Sequence, residues 1–281
     1  MSGASLPWPP APGRSPPVPG RTLVVGILNV TPDSFHDGGH HAALDSALAQ
    51  AREMELAGAD WIDVGGESTR PGAAPVDADE ELRRILPVIR ALAGGRLPLS
   101  VDTSKARVAA RALQAGATII NDVSGLSDPE MAAVTADARA TVVMHSRGDP
   151  RTMRDLTDYQ DLVAEVRDHL LARASLARSP QVWLDPGLGF AKTAAQSLAL
   201  LRHLDALVAT GLPVLVGASR KSFIGATLGQ PLAQQRLVGS LAAAAAAWQQ
   251  GALALRVHDV AETRQLVDML QAVRGPAEGA P

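Results

Sequence analysis

The segment LSVDTSKARVAARALQAGATIIND, residues 99 to 122, contains one full repeat of the pattern that organises this chain. A short apolar run, Leu99 to Val101, ends in Asp102. A stretch long enough for a helix follows from Lys105 to Gln114, then Gly116, then a second apolar run, Thr118 to Ile120, ending in Asn121 and Asp122. A glycine just past a helical stretch suits the left-handed cap, so the segment reads as strand, helix, strand. The pattern recurs on both sides. Apolar runs end in polar residues at Val24 to Leu28 then Asn29, Trp61 to Val64 around Asp63, Val142 to Met144 then His145, Val182 to Leu184 then Asp185, Val214 to Val216 then Gly217 and Ser219, and Leu253 to Leu255 then Arg256 and His258. Eight such alternations predict a single-domain α/β fold, the closed (β/α)8 TIM barrel, whose functional residues sit at the C-terminal ends of the strands. The polar endings should then converge on one pocket.

Length and composition agree. At 281 residues, 46% of them hydrophobic, the chain is close to the ~250 residues usual for one such barrel. A formal net charge of -3 with no concentrated Lys/Arg run gives no footprint for nucleic acid or a membrane surface. The chain has no cysteine, which removes thiolate nucleophiles, thiolate metal sites and disulfides. Residues 1 to 20 hold seven prolines and no apolar h-region, and are expected to form a disordered Pro-rich tail rather than a signal peptide. The barrel is expected over 21 to 274, a flexible end over 275 to 281, and a cytoplasmic location. Helices are expected near 43 to 57, 78 to 92, 105 to 114, 129 to 136, 158 to 177, 195 to 209, 234 to 248 and 261 to 273. The Ala-rich run Leu241 to Ala247 suits close helix packing, on the barrel or across a dimer.

The loops after the first, second and fifth strands are long and polar, which marks the functional end. The first, Asn29 to Gly39, combines an amide, carboxylates, hydroxyls and Phe35 on a glycine-hinged segment, suited to a lid over a charged ligand. The second, Gly65 to Gly72, brings hydroxyls and Arg70 beside Pro71. Thr103 and Ser104 read as the N-cap of a helix. Asp102 with Asn121 and Asp185 would make a ring of acceptors for a flat, nitrogen-rich heterocycle. A hard cation is the competing reading, disfavoured because these acids come from well-separated strands. On the opposite side Arg220, Lys221, Arg256 and His258 gather after the last two strands, where barrels often bind phosphate. Gly217 to Ser222 does not match the Walker pattern.

Six motifs together resemble the bacterial dihydropteroate synthases: Gly26 to Phe35, Asp63 to Gly72, Asn121 to Val123, Asp185 to Phe190, Gly217 to Ser222 and Arg256 to Val260. The resemblance runs in order from Leu23 to Val273. It implies a (β/α)8 enzyme of folate synthesis, the sulfonamide target, which joins 6-hydroxymethyl-7,8-dihydropterin diphosphate to 4-aminobenzoate and releases pyrophosphate.

Position by position, the resemblance implies that Asp102, Asn121, Asp185 and Lys221 hold the pterin beside Gly217, with Met144 and Phe190 as its apolar walls. Thr69, Arg256 and His258 match diphosphate contacts, and Asn29 matches a Mg2+ ligand. Phe35, Asp37, Arg70 and Pro71 match loops that build the aminobenzoate slot, with Ser222 facing its carboxylate. Catalysis would rest on Lys221, Asp102, Asp185, Arg256 and His258 in a dissociative mechanism, in a homodimer. His36 departs from the Ser more familiar at its position. Two alternatives share the acidic floor: a pterin-dependent methyltransferase, which would have no need of Ser219 to Ser222 or the first loop, and a non-catalytic pterin-binding paralogue, at odds with the presence of Phe35, Arg70, Arg256 and His258.

Overall fold

A computed structural model describes residues 22–30, 39–68 and 72–275. Within them, eight parallel strands alternate with helices: β1 (Leu23–Asn29), α1 (Gly39–Leu56), β2 (Trp61–Gly65), α2 (Ala78–Leu92), β3 (Leu99–Asp102), α3 (Ala106–Ala115), β4 (Ile119–Asp122), α4 (Met131–Val134), β5 (Ala140–Met144), α5 (Leu162–Ala174), β6 (Gln181–Asp185), α6 (Ala194–Arg202), α7 (Asp205–Val208), β7 (Leu215–Val216), α8 (Ser222–Leu228), α9 (Leu237–Gln249), β8 (Ala254–Val257) and α10 (Val260–Arg274). The strand order is β6-β5-β4-β3-β2-β1-β8-β7. A single parallel bridge, Leu184 to Val214, joins the two ends, so the sheet closes on itself as the TIM barrel expected from the sequence. The expected tail, residues 1–20, and residues 276–281 lie outside the described residues.

Strand side chains alternate across the sheet with period two, and the alternation divides the core. One set, including Val24, Ile62, Val101, Ile120 and Leu184, belongs to the large cluster shared with the helices. The other set, Val25, Trp61, Ile119, Ala140, Val142, Trp183, Leu215 and Ala254, forms a separate cluster that fills the barrel axis. Trp61 and Trp183 meet edge to face there, with ring centroids 5.6 Å apart, an arrangement worth ~0.5–1.5 kcal/mol beyond the area it buries. These two rings plug the lower barrel and leave the upper end to polar residues.

The βαβ segment is built as its residues suggest. α3 buries Val108, Ala109 and Ala112 against the sheet. It ends at Gly116, whose φ of 118° is strained for any side chain, and a Cβ there would stand 2.4 Å from that of Ala93. The start of α3 differs from expectation. Lys105 occupies the cap position, and Ala106 N donates to Asp128 Oδ2 at 2.9 Å, so a carboxylate from the loop after β4 does what Thr103 and Ser104 were expected to do.

Other helices also depart from the expected bounds, α1 starting at Gly39 and α9 at Leu237, and three further departures have a local cause. The helix expected from residue 158 begins at Leu162, because Asp161 caps it through Ala164 N and Glu165 turns back to the amides of Gln160 and Asp161. The helix expected over 195 to 209 is two, α6 and α7, broken at His203. α8 was not anticipated; Phe223 and Ile224 bury its inner face, and Gly229 ends it at φ 66°.

Candidate active site

Two residues above each apolar layer, the strands that fill the barrel axis present functional groups. Trp61 is followed by Asp63, Ile119 by Asn121, Val142 by Met144, Trp183 by Asp185, Leu215 by Gly217, and Ala254 by Arg256 and then His258. Period two thus carries the same inward face from a dry layer into a polar one.

At the centre stands Asp63, 1% exposed. Its Oδ2 accepts from Arg256 Nε at 2.6 Å and from Asn121 Nδ2 at 2.9 Å, and its Oδ1 accepts from Ser100 Oγ at 2.5 Å. Arg256 Nη2 donates to Asp102 Oδ2 at 2.5 Å. One guanidinium therefore bridges carboxylates of β2 and β3 from across the barrel. Asp102 is buried, and its Oδ1 meets no protein partner. Burial pushes Asp102 up to about 7, with Arg256 opposing and the charge of Asp63 adding. For Arg256 burial works against the charge, but Asp63 and Asp102 outweigh it and the pKa is raised.

Asp185 is the third buried acid of the site. Its Oδ1 accepts from Gly187 N at 2.7 Å, and burial raises its pKa against the opposing charge of Lys221. Lys221 Nζ donates to Leu188 O at 2.7 Å and stands 4.8 Å from the centroid of the Phe190 ring. Burial pulls Lys221 down to about 8, opposed by Asp185. Gly217 leaves the space between them open: a Cβ there would come within 3.8 Å of both Lys221 Nζ and Arg256 Cβ. His258 joins through Ser219, whose Oγ lies 3.0 Å from His258 Nδ1 and accepts from His258 N.

Of the residues singled out in the sequence, Asp102, Asn121, Met144, Asp185, Gly217, Lys221, Arg256 and His258 stand at the strand ends of this one barrel mouth. Met144 is buried beside Gly187, and Phe190 lines a cleft of about 140 Å³ with Ser68, Asp102, Thr103, Ser124 and Met153. Ser222 opens α8 and is exposed. Asn29 ends β1 in register with Gly65. Phe35, His36, Asp37, Thr69, Arg70 and Pro71 lie outside the described residues.

The expected separation into an acidic half and a cationic half is corrected. Arg256 sits between Asp63 and Asp102, so charges of opposite sign interleave. Arg220 leaves the site: its guanidinium forks onto the Asp259 carboxylate, its N donates to Ser240 Oγ, and its carbonyl accepts from Arg236, with φ at 57°. Buried ions are tolerated when paired, and these pairings span strands that sequence spacing does not connect. Asp63 was given no role from the sequence; its signal was an acid inside an otherwise apolar strand. His145, also a strand ending, falls on the other face of β5 from Met144 and meets Lys192 rather than the pocket.

The polar mouth offers an unpartnered buried acceptor, a second acid, an oriented amide and two cations in a water-poor setting. It suits a flat ligand that donates several N–H groups and carries negative charge. The sequence matches the family described as pterin binding enzyme over residues 25–258. It is 49% identical over 261 residues to the dihydropteroate synthase of Synechocystis sp., covering 90% of each chain. The fold is similar to that of Xanthomonas albilineans dihydropteroate synthase with 4-aminobenzoic acid, at TM-score 0.85 and 46% identity over 92% of this chain and 94% of the other. A structure of the X. albilineans enzyme in complex with 7,8-dihydropteroate gives TM-score 0.82 and 43% identity over 92% and 95%.

Proposed function

Because the chain belongs to the pterin-binding enzyme family, among its dihydropteroate synthases, we propose that its barrel mouth joins 6-hydroxymethyl-7,8-dihydropterin diphosphate to 4-aminobenzoate. The observation that carries this reading is Asp102: a buried carboxylate with one oxygen on Arg256 and the other without a partner. A buried acceptor left open costs about 1–3 kcal/mol, which a heterocycle donating ring and amino N–H groups recovers on binding. Asn121, held by Asp63, and Asp185 complete the acceptor set. Lys221 reaches the carbonyl side of the ring, Met144 and Phe190 form its apolar walls, and Gly217 keeps the floor open.

In the reaction the bond between the pterin methylene carbon and the diphosphate oxygen breaks, and its electron pair leaves on pyrophosphate. The arylamine nitrogen then donates its lone pair to the methylene carbon and sheds a proton. The buried carboxylates Asp102 and Asp185 favour the positive charge that develops on the pterin, while Arg256, His258, Lys221 and Thr69 favour the departing anion. No side chain is needed as a strong base, since an arylamine is neutral at physiological pH. Phe35, Asp37, Arg70 and Pro71 are assigned to the aminobenzoate slot with Ser222, and a sulfonamide, which presents the same arylamine, competes there.

Mg2+ fits the donor set as an ion carried largely by substrate phosphate. Asn29, at the end of β1, would supply an amide oxygen to the ion. When bound, it adds positive charge beside the leaving pyrophosphate. The homodimer is assigned to the face carrying exposed Leu228, Leu232 and Val238, next to the Ala-rich α9. No helix among the described residues is long and apolar enough to cross a membrane, and we assign the enzyme to the cytoplasm.

A coupled pyrophosphate-release assay tests the reading. Release should require both substrates and yield dihydropteroate. Purified protein that forms none, or that releases pyrophosphate independently of 4-aminobenzoate, sinks it.

A further inference from the structure

Lys192 lies outside the roles above, yet among the described residues it is the least exposed lysine, at 8%. Its Nζ contacts three groups: Gly187 O at 3.1 Å, Phe190 O at 2.9 Å and His145 Nδ1 at 2.9 Å. The two carbonyls only accept, so Nζ donates to both in either protonation state. As an ammonium it donates its third N–H to a bare His145 Nδ1; as an amine its lone pair accepts a hydrogen bond from His145 Nδ1–H. Burial pulls Lys192 well below its ordinary pKa, with Asp185 opposing, and burial with the neighbouring Lys192 charge takes His145 down to about 2. The contacts to the loop do not depend on which form is present.

The loop from Asp185 to Ala191 is costly to hold. Gly187, Gly189 and Ala191 all have positive φ, at 63°, 81° and 47°, and Ala191 carries a side chain in a region that disfavours one. Its carbonyls divide between two lysines: Leu188 O accepts from Lys221, while Gly187 O and Phe190 O accept from Lys192. Lys221 is thus held from the pocket side by a loop that Lys192 holds from behind. The Phe190 ring, whose carbonyl Lys192 grips, is the aromatic face against Lys221 and a wall of the cleft.

Behind Lys192 the anchorage continues. The His145 ring stands 4.9 Å from His169 and 6.2 Å from Tyr159, whose hydroxyl donates to Ala191 O at 3.0 Å. Arg147 lies 3.8 Å over the Tyr159 ring and pairs with Glu165 at 2.7 Å. Gly187 O and Phe190 O are therefore tied to Lys192, which directly follows the loop and is braced by His145 just past β5, and Ala191 O is tied to Tyr159 in the segment before α5.

We propose that Lys192 is a positioning residue for heterocycle recognition: by gripping the carbonyls of Gly187 and Phe190 it sets where the Phe190 ring and the Lys221 ammonium stand, and so sets affinity for the pterin but not for the arylamine. This rests on the pterin reading given above. It distinguishes Lys192 from a general stabiliser, because only one of two substrates should feel its loss.

The test is Lys192→Met, which keeps the volume and removes the donors, with calorimetric titration of 6-hydroxymethyl-7,8-dihydropterin diphosphate and steady-state KM for 4-aminobenzoate at saturating pterin. The pterin Kd should weaken at least tenfold while KM for 4-aminobenzoate stays within twofold. In a Phe190→Ala background the same substitution should cost less than in the wild type, since part of its effect passes through that ring. A pterin Kd within twofold of wild type, equal losses for both substrates, or full additivity with Phe190→Ala overturns the proposal. Should Lys192→Met not fold, Lys192→Arg decides: it keeps a positive charge but spreads its donors in a plane, and affinity should still fall tenfold. Failure of both to fold marks Lys192 as a residue of the fold alone and also overturns it. If wild-type protein itself does not bind the pterin, the reading beneath the proposal fails instead, and the proposal with it.

Discussion

Asp63→Asn isolates the charge at the centre of the site while keeping its shape. The amide oxygen takes the place of Oδ2 and still accepts from Arg256 Nε and Asn121 Nδ2; the amide nitrogen takes the place of Oδ1 and donates to Ser100 Oγ, a hydroxyl able to accept. What is lost is charge assistance. A hydrogen bond to an ionised group contributes ~1.5–3 kcal/mol against ~0.5–1.5 kcal/mol for a neutral one. The Asn121 contact becomes neutral on both sides and weakens by about 1 kcal/mol, while Arg256 stays charged but loses its ion pair with Asp63, about 1 kcal/mol more, together about 2 kcal/mol in holding two groups that face the substrate. At ~1.4 kcal/mol per decade this corresponds to a fall of roughly 10- to 30-fold in kcat/KM for the pterin diphosphate. The substitution also removes a like charge beside Asp102, whose pKa of about 7 owes part of its elevation to Asp63. The acid limb of the kcat/KM profile should therefore move to lower pH. Pyrophosphate release measured from pH 5 to 9, with thermal melting as a control for folding, reads both effects. A kcat/KM within threefold of wild type together with an unmoved acid limb refutes the assignment of Asp63 as the residue that orients Arg256 and Asn121.

In the wild type, Asp102 at about 7 must be ionised to accept N–H groups, and Lys221 at about 8 must be protonated to stay cationic, so kcat/KM should fall below about pH 7 and again above about pH 8; Lys221→Arg should abolish the alkaline limb, and a flat profile from pH 6 to 9 contradicts both roles. Gly187→Ala places a Cβ 1.9 Å from His145 O at φ 63°, and urea unfolding should show a loss of about 3 kcal/mol or more; near-wild-type stability would mean that the loop can move freely. Lys105→Met strips the cation that Glu67 and Glu81 share, with Glu81 fully buried, and should cost about 3 kcal/mol. Glu81 is already raised by burial and would rise further. A carboxyl whose folded pKa exceeds its unfolded one stabilises at low pH, and that contribution is lost as pH rises through the folded value. The melting deficit of Lys105→Met should therefore be larger at pH 8 than at pH 5, and an equal deficit at both would exclude Glu81 as its cause.

Strands were legible because an apolar run that ends in a polar group is a local pattern, and all eight expected runs are strands. Helix bounds were less legible where capping decided them. Asp128 starts α3 from 22 residues away in sequence, and a Glu165 side chain turning back on its own N-terminus delays α5. The acceptors Asp102, Asn121 and Asp185 were legible because each directly follows an apolar run. Asp63 was passed over because it lies inside one, and nothing local says that a residue of β8, 193 positions on, will reach it.

The sequence by itself determined the periodicities: a repeated strand and helix unit, its closure into a barrel, and apolar runs that end in polar residues. Those follow from bond geometry and burial, which act on neighbours. Which cation meets which acid was decided only by the tertiary structure. Arg220 and Arg256 are alike in sequence, each following a late apolar run, yet one is neutralised by Asp259 outside the pocket and the other bridges Asp63 and Asp102 within it. The same holds for Lys192 and Lys221, two lysines set on opposite sides of one loop. Pairing of buried charge depends on distance through space and on the removal of water, and neither quantity exists until the barrel has closed.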